Sequence, residues 1–281
     1  MAVPEGATRE WLDAQYDARA LVSDPDAIFA RWREDSGRLR AELGPDRRVG
    51  IPYGGDPRQH VVLHLPVRTP SAVVVFVHGG YWQALDAATF DFLAAPFLER
   101  GVAFANVEYR LVPQVAMDDV VADVRAGVAE LARRGPDLGV DTRRLAVTGH
   151  SAGGHLVAML MAEDWSRHGL TDVVGAGCAI SGLYDLDPIR RTYLNDVLGL
   201  SPEDAERNSP VHRTPTSRGP LLLTCGGDEP GEFDRQQREL AAAWDTVDVS
   251  ILEQPDGHHF VAVERLAAPG PLHDAVLEML S

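Results

Sequence analysis

Short apolar runs alternate with helical patterns over most of the chain. From residue 60 onward, residues 61–65, 73–77, 102–107, 145–148, 173–180, 221–225 and 247–252 form runs that are β-branched or otherwise strongly apolar. Continuous apolar runs suit strands buried on both faces of a sheet. Between them, residues 114–134 place Val120, Val121, Val124, Val128 and Leu131 at helical spacing, and 156–162, 233–244 and 272–280 read the same way. Strand and helix in alternation predict an α/β fold, with a mostly parallel central sheet and helices on both faces. The beginning of the chain differs. Residues 8–43 set Trp11, Leu12, Tyr16, Ile28, Phe29, Trp32 and Leu39 among many charges and read as helical, whereas 44–57 is rich in Gly, Pro and charge and reads as a connection. A second interruption, 185–218, carries Pro188, Pro202, Pro210 and Pro215. It reads as an insertion with short helices, of the kind that covers an active site. One domain over 1–281, with an N-terminal helical extension and linker at 1–57 and a cap-like insertion at 185–218, is the simplest account.

Composition narrows the class without naming a function. The 281 residues are 45% hydrophobic and 24% charged, which excludes a disordered or collagen-like chain. The formal net charge is −16, and all 26 basic residues are Arg. Such an anionic surface repels phosphate backbones and acidic headgroups, which argues against nucleic-acid and membrane partners. No stretch reaches the ~18 apolar residues of a membrane-spanning helix. The start MAVPEGATRE has neither a basic opening nor an apolar core, so no signal peptide is expected and a cytoplasmic location follows. Cys178 and Cys225 each sit in an apolar run and read as packing residues in a reducing compartment.

The chemistry gathers at three strand ends. Gly149-His150-Ser151-Ala152-Gly153 has the G-x-S-x-G form, follows a predicted strand and precedes a predicted helix. In that context the turn lifts a serine hydroxyl above the sheet at a helix N-terminus. The alternative is a tight glycine turn holding a structural serine. His78-Gly79-Gly80-Tyr81-Trp82 follows the run 73–77. Acyl transfer needs preorganised donors for a tetrahedral oxyanion, and here the N–H groups of Gly79, Gly80 and Ala152 are placed to supply them, with Tyr81 as a further candidate. His78, at a strand end, reads as a loop-fixing group rather than a base. A base must follow the nucleophile near the C-terminus, where His258 and His259 compete; His273 reads as a surface histidine. The acid falls between them, after the run 221–225, where Asp228 and Glu229 compete.

Other chemistries lack their residues. There is no HExxH pattern, and two cysteines cannot build a Cys-rich zinc site. The glycines around Ser151 lack the Lys-Ser/Thr of a phosphate loop and do not follow the first strand of a dinucleotide-binding unit. No metal and no cofactor is expected.

Taken together, these motifs make the chain resemble the α/β-hydrolase superfamily, and within it the kynurenine formamidase (arylformamidase) branch. The likeness covers most of the chain. It runs through Tyr53-Gly54-Gly55-Asp56-Pro57 before Gln59, His78 to Trp82, Glu108-Tyr109-Arg110-Leu111, and Gly149 to Leu156. It continues through Ser181 to Ile189, Asn208-Ser209-Pro210, Glu232-Phe233, Arg235-Gln236 and His259-Phe260. The resemblance implies an α/β-hydrolase fold and resolves the duplicates. The family's base immediately precedes Phe, which selects His259. Its acid lies three residues after the loop glycine and three before the Glu-Phe pair, which selects Glu229, with the adjacent Asp228 as the alternative. The implied activity is hydrolysis of an aryl formamide such as N-formylkynurenine through an acyl-enzyme, by a Ser151–His259–Glu229 triad. A short-chain carboxylesterase and a non-catalytic ligand-binding member of the fold are the rival readings. Tyr81 and Trp82 stand where many esterases carry small residues. They are expected to touch substrate and narrow the acyl side, unless the rings turn inward and anchor the loop. The expected partner is a small-molecule substrate. The oligomeric state is left open, a homodimer among the options.

Overall fold

The chain enters its sheet one strand earlier than the sequence pattern predicts. Residues read as a connection contain β1 (Arg48–Pro52), followed by β2 (His60–His64), β3 (Val73–Val77), β4 (Ala103–Val107), β5 (Leu145–His150), β6 (Ala176–Ile180), β7 (Leu221–Thr224) and β8 (Val249–Ile251) in this computed structural model. The structure describes Val3, Pro4 and residues 6–280. β1 escapes the pattern because it lies at the sheet edge, pairs only with β2, and buries only Ile51 among its residues. The strands form one sheet in the order β1-β2-β4-β3-β5-β6-β7-β8. β1–β2 and β2–β4 pair antiparallel, and every other neighbouring pair is parallel.

All residues of β3, β4, β5, β6 and β7 are buried. Their alternate side chains feed two separate cores. Val73, Val75 and Val77 join one face with Val120, Val124, Leu156 and Leu240 from the helices Met117–Arg134, Ala152–Met161 and Gly231–Ala243. Val74 and Phe76 join the other face with Trp32, Phe90, Phe97 and Val276. The period of two along each strand therefore requires two helical layers, which is why these runs show no polar face.

The N-terminal pattern read as one helical stretch is two helices, Arg9–Tyr16 and Pro25–Leu43. The break has a local cause. Asp24 accepts the Ala27 N–H at 2.9 Å as an N-cap, and Pro25 opens the second helix. Residues 185–218 contain the short helices Asp187–Arg190, Asn195–Leu198 and Pro202–Arg207. The first helix lies against them: Arg9 pairs with Asp196 at 2.9 Å, and Asp13 accepts the Tyr193 N–H at 2.8 Å. One sequence expectation is corrected here. His273 is not a surface histidine but faces inward from the helix Pro271–Glu278, 4.6 Å from the Phe97 ring. No helix among the described residues is long and apolar enough to cross a membrane.

Strand order places the functional region. After β3 the chain moves outward to β4, then returns past β3 to β5, and continues away through β6, β7 and β8. The C-terminal ends of β3 and β5 thus flank the point where the winding reverses, the crevice in which open α/β sheets bind ligands.

Candidate active site

At the end of β5 the backbone turns sharply at Ser151, whose φ of 58° and ψ of −120° lie outside the ordinary regions for a side-chain-bearing residue. Such a conformation costs on the order of 1–3 kcal/mol and persists only where its surroundings fix it. The Ser151 N–H donates to the Ile180 carbonyl at 2.8 Å. The helix that follows is drawn tight against β3: a Cβ on Gly153 would lie 1.9 Å from the Val77 carbonyl oxygen. Only glycine allows that approach.

The loop after β3 meets this turn. A Cβ on Gly79 would sit 3.0 Å from the Ser151 Cβ and 2.7 Å from the His150 carbonyl oxygen. The loop's direction is set by His78, whose Nδ1 donates to the Gly79 carbonyl at 2.7 Å. In a trans peptide the carbonyl and the next N–H point oppositely, so the same contact aims the Gly80 N–H away from His78. His78 is fully buried, and burial pulls its pKa down to about 4. It is a neutral ring stacked on Tyr109 at 4.2 Å. Among the described residues, no protein acceptor takes the N–H groups of Gly79, Gly80, Tyr81 or Ala152.

Tyr81 and Trp82 both have positive φ, 48° and 58°. Each is held by its ring. The Tyr81 hydroxyl donates to the Tyr16 carbonyl, and the ring lines the central cavity. Trp82 does not. It is fully buried, is absent from the cavity wall, and its indole N–H donates to His155 Nδ1 at 3.1 Å. His155 Nε2 in turn donates to the Asn208 carbonyl at 2.7 Å, and burial lowers the His155 pKa to about 4. The expected substrate contact at Trp82 is therefore corrected to an anchor. Its ring ties the strained loop to the Ala152–Met161 helix. Trp82→Phe keeps an aromatic ring, smaller than the indole, and removes the N–H, leaving a buried acceptor unpaired. The expected loss is about 1–3 kcal/mol of stability, read as a lower urea midpoint with an unchanged slope.

The remaining groups converge from β6, β7 and the C-terminal region. His259 begins the helix His259–Glu264, and His258 is its N-cap, accepting at Nδ1 from the Phe260 N–H at 3.3 Å and the Val261 N–H at 3.4 Å. His259 Nδ1 meets Glu229 Oε2 at 2.6 Å. The other Glu229 oxygen accepts from the Ser181 hydroxyl at 2.5 Å and from the Gly226 N–H at 2.6 Å. Asp228 points elsewhere and accepts the Gly257 N–H at 2.8 Å. With Nδ1 turned to Glu229, Nε2 is the His259 ring nitrogen without a partner among the described residues. Ser151 and His259 are each 3% exposed, and both line one cavity of about 450 Å³. Cys178 and Cys225 are free and buried. No cluster of three or more His, Cys, Asp or Glu side chains is disposed to hold a metal ion among the described residues.

Three features of this site lie outside the motif reading. Ser181, at the end of β6 with φ 50°, braces the carboxylate. It belongs to the shared loop motif, but nothing in the sequence gives it a partner. His150, read only as the variable position of the serine turn, donates from Nε2 to the His259 carbonyl at 2.9 Å. Its pKa is held well below the usual value by burial and by the neighbouring His259. The third is the N-terminal segment: Asp17, Ala18, Arg19, Phe29 and Trp32 form part of the cavity wall. Tyr16 fixes that segment twice. Its carbonyl accepts from Tyr81, and its hydroxyl donates to Glu232 at 2.7 Å.

Known proteins share both the sequence and the shape. The BD-FAE family model matches residues 62–178. The chain is 31% identical over 240 residues to a kynurenine formamidase of Salmo salar, covering 82% of this chain and 80% of that protein. It is 30% identical over 277 residues to a kynurenine formamidase of Danio rerio, with 92% and 93% covered. A solved candidate thioesterase from Silicibacter sp. TM1040 matches with a TM-score of 0.84 at 30% identity, over 96% of this chain and 99% of that one.

Proposed function

The chain belongs to the kynurenine formamidase family of α/β-hydrolases, and from that membership we propose that it hydrolyses aryl formamides such as N-formylkynurenine through a formyl-enzyme on Ser151. The observation that carries the reading is the 2.6 Å contact between Glu229 and His259 Nδ1, beside a cavity that Ser151 and His259 line together. His259 Nε2 removes the Ser151 proton as Oγ attacks the formyl carbon, and Glu229 stabilises the imidazolium that forms. The oxyanion is held by the free N–H groups of the Gly79–Gly80 loop and of Ala152. His259 then returns the proton to the aryl nitrogen, the C–N bond breaks, and the amine leaves. Water, activated by the same imidazole, releases formate and restores the serine.

Tyr81 supports formyl over larger acyl groups. Its ring lines the cavity beside Gly80, and its hydroxyl is tied to the Tyr16 carbonyl, so the ring cannot swing aside without breaking a hydrogen bond. A formyl carbon carries only hydrogen on that side, whereas each added methylene needs room in a close-packed wall. The test is kcat/KM for one aryl leaving group bearing formyl, acetyl, butyryl or octanoyl, corrected for intrinsic reactivity. Activity is expected to fall along the series, most steeply after acetyl. A maximum at butyryl or beyond would make the enzyme a general esterase and overturn the formamidase reading.

A further inference from the structure

The cavity that holds Ser151 and His259 is largely aromatic and aliphatic, and the acidic and guanidinium side chains in its wall are only two among the described residues, Asp17 and Arg19. They have opposite sign and lie two residues apart, on the segment between the N-terminal helices. Neither takes part in the chemistry derived above. Arg19 marks the mouth: its side chain is 56% exposed and the neighbouring Asp17 is half-buried, against 3% for Ser151 and His259 at the base.

Both groups are positioned yet incompletely used. Arg19 sits over the Phe29 ring at 5.4 Å and donates through Nη2 to Asp26 at 2.8 Å. That is one of its five N–H donors, and Asp26 is itself 84% exposed. A guanidinium can hold a second carboxylate along another edge. Asp17 accepts the Ala20 N–H through Oδ1 at 3.2 Å, which leaves Oδ2 without a partner among the described residues. Tyr16 clamps the start of this segment to Tyr81 and Glu232, so the pair is presented on fixed backbone rather than on a loose strap.

We propose that Asp17 and Arg19 read a zwitterionic α-amino-acid arm on the substrate, the guanidinium taking its carboxylate and Asp17 its ammonium. The inference rests on the formamidase reading and narrows it: the preferred class is aryl formamides whose ring bears a free amino-acid side chain, not aryl formamides in general. The formamide lies at the base against Ser151, the ring lies among the aromatic walls, and the charged arm reaches the mouth.

Three substrates separate the terms: N-formylkynurenine, its methyl ester, which lacks the carboxylate charge, and formanilide, which lacks the arm. Arg19→Ala is expected to lower kcat/KM for N-formylkynurenine about five- to tenfold relative to the methyl ester, mainly through KM, and less at high salt, because the pair is partly exposed. Arg19→Gln, which keeps the side-chain stem over Phe29, carries the same expectation. Asp17→Asn is expected to lower both arm-bearing substrates relative to formanilide. Wild-type enzyme that turns over N-formylkynurenine, with ratios unmoved by these variants, overturns the charge reading alone. Wild-type enzyme that cleaves formanilide but not N-formylkynurenine likewise overturns the charge reading, whereas wild-type enzyme that cleaves neither formamide overturns the functional reading beneath it.

Discussion

Ser151→Ala is expected to fold like the parent and to lose about 10⁴–10⁶ in kcat toward N-formylkynurenine, the scale on which removal of a serine nucleophile acts. The substitution deletes one oxygen from a nearly buried side chain. It leaves the backbone bond from residue 151 to the Ile180 carbonyl, and alanine bears the positive φ about as well as serine does. Stability therefore stays near the parent's, which circular dichroism and the urea midpoint check. The residual rate reflects the oxyanion donors and substrate binding, which survive without the nucleophile. A fluorophosphonate probe should label the parent and not the variant. Hydrolysis within about tenfold of the parent would sink the acyl-enzyme mechanism, and an unlabelled, inactive parent would instead favour a ligand-binding member of the fold.

What the sequence made legible was set by how local each determinant is. The run 73–77 coincides with β3, because a strand buried on both faces is mostly apolar along its whole length. The serine turn and the paired glycines after β3 are legible because backbone strain and close approach leave few residue types. β1 is not, because an edge strand with one buried side chain looks like a linker. Trp82 and His273 fail for a related reason. Residue type says that a Trp or His is amphipathic, whereas tertiary packing alone decides that Trp82 faces His155 and that His273 faces Phe97. The cavity wall from residues 17–19 is the longest-range case. Its place depends on Tyr16 reaching Glu232 from 216 positions away, and no periodicity encodes that pairing. Asp228 and Glu229 are adjacent carboxylates of equal chemistry, so residue type alone could not separate them. Only the spacing implied by the family resemblance favoured one.

Glu229→Gln is the sharper test of that choice. Three donors face the Glu229 carboxylate: His259 Nδ1 on one oxygen, and the Ser181 hydroxyl and Gly226 N–H on the other. Glutamine keeps the shape but supplies one oxygen and one NH₂ group. The Gly226 N–H is a fixed backbone donor that cannot turn away, so the amide oxygen stays on that side and the NH₂ faces His259. The ring must then lose its Nδ1 proton and carry it on Nε2, the nitrogen that has to accept the Ser151 proton. The base is held in the wrong tautomer, and kcat is expected to fall about 10²–10⁴-fold with little change in fold. Asp228→Asn meets no such conflict. Its contact is the Gly257 N–H at 2.8 Å, and an asparagine oxygen accepts that bond as the carboxylate did, so kcat should stay within a few-fold. The measurement is kcat for both variants on one formamide at one pH. A severe loss in Asp228→Asn with a mild one in Glu229→Gln would move the acid to Asp228 and show that the loop rearranges when substrate binds.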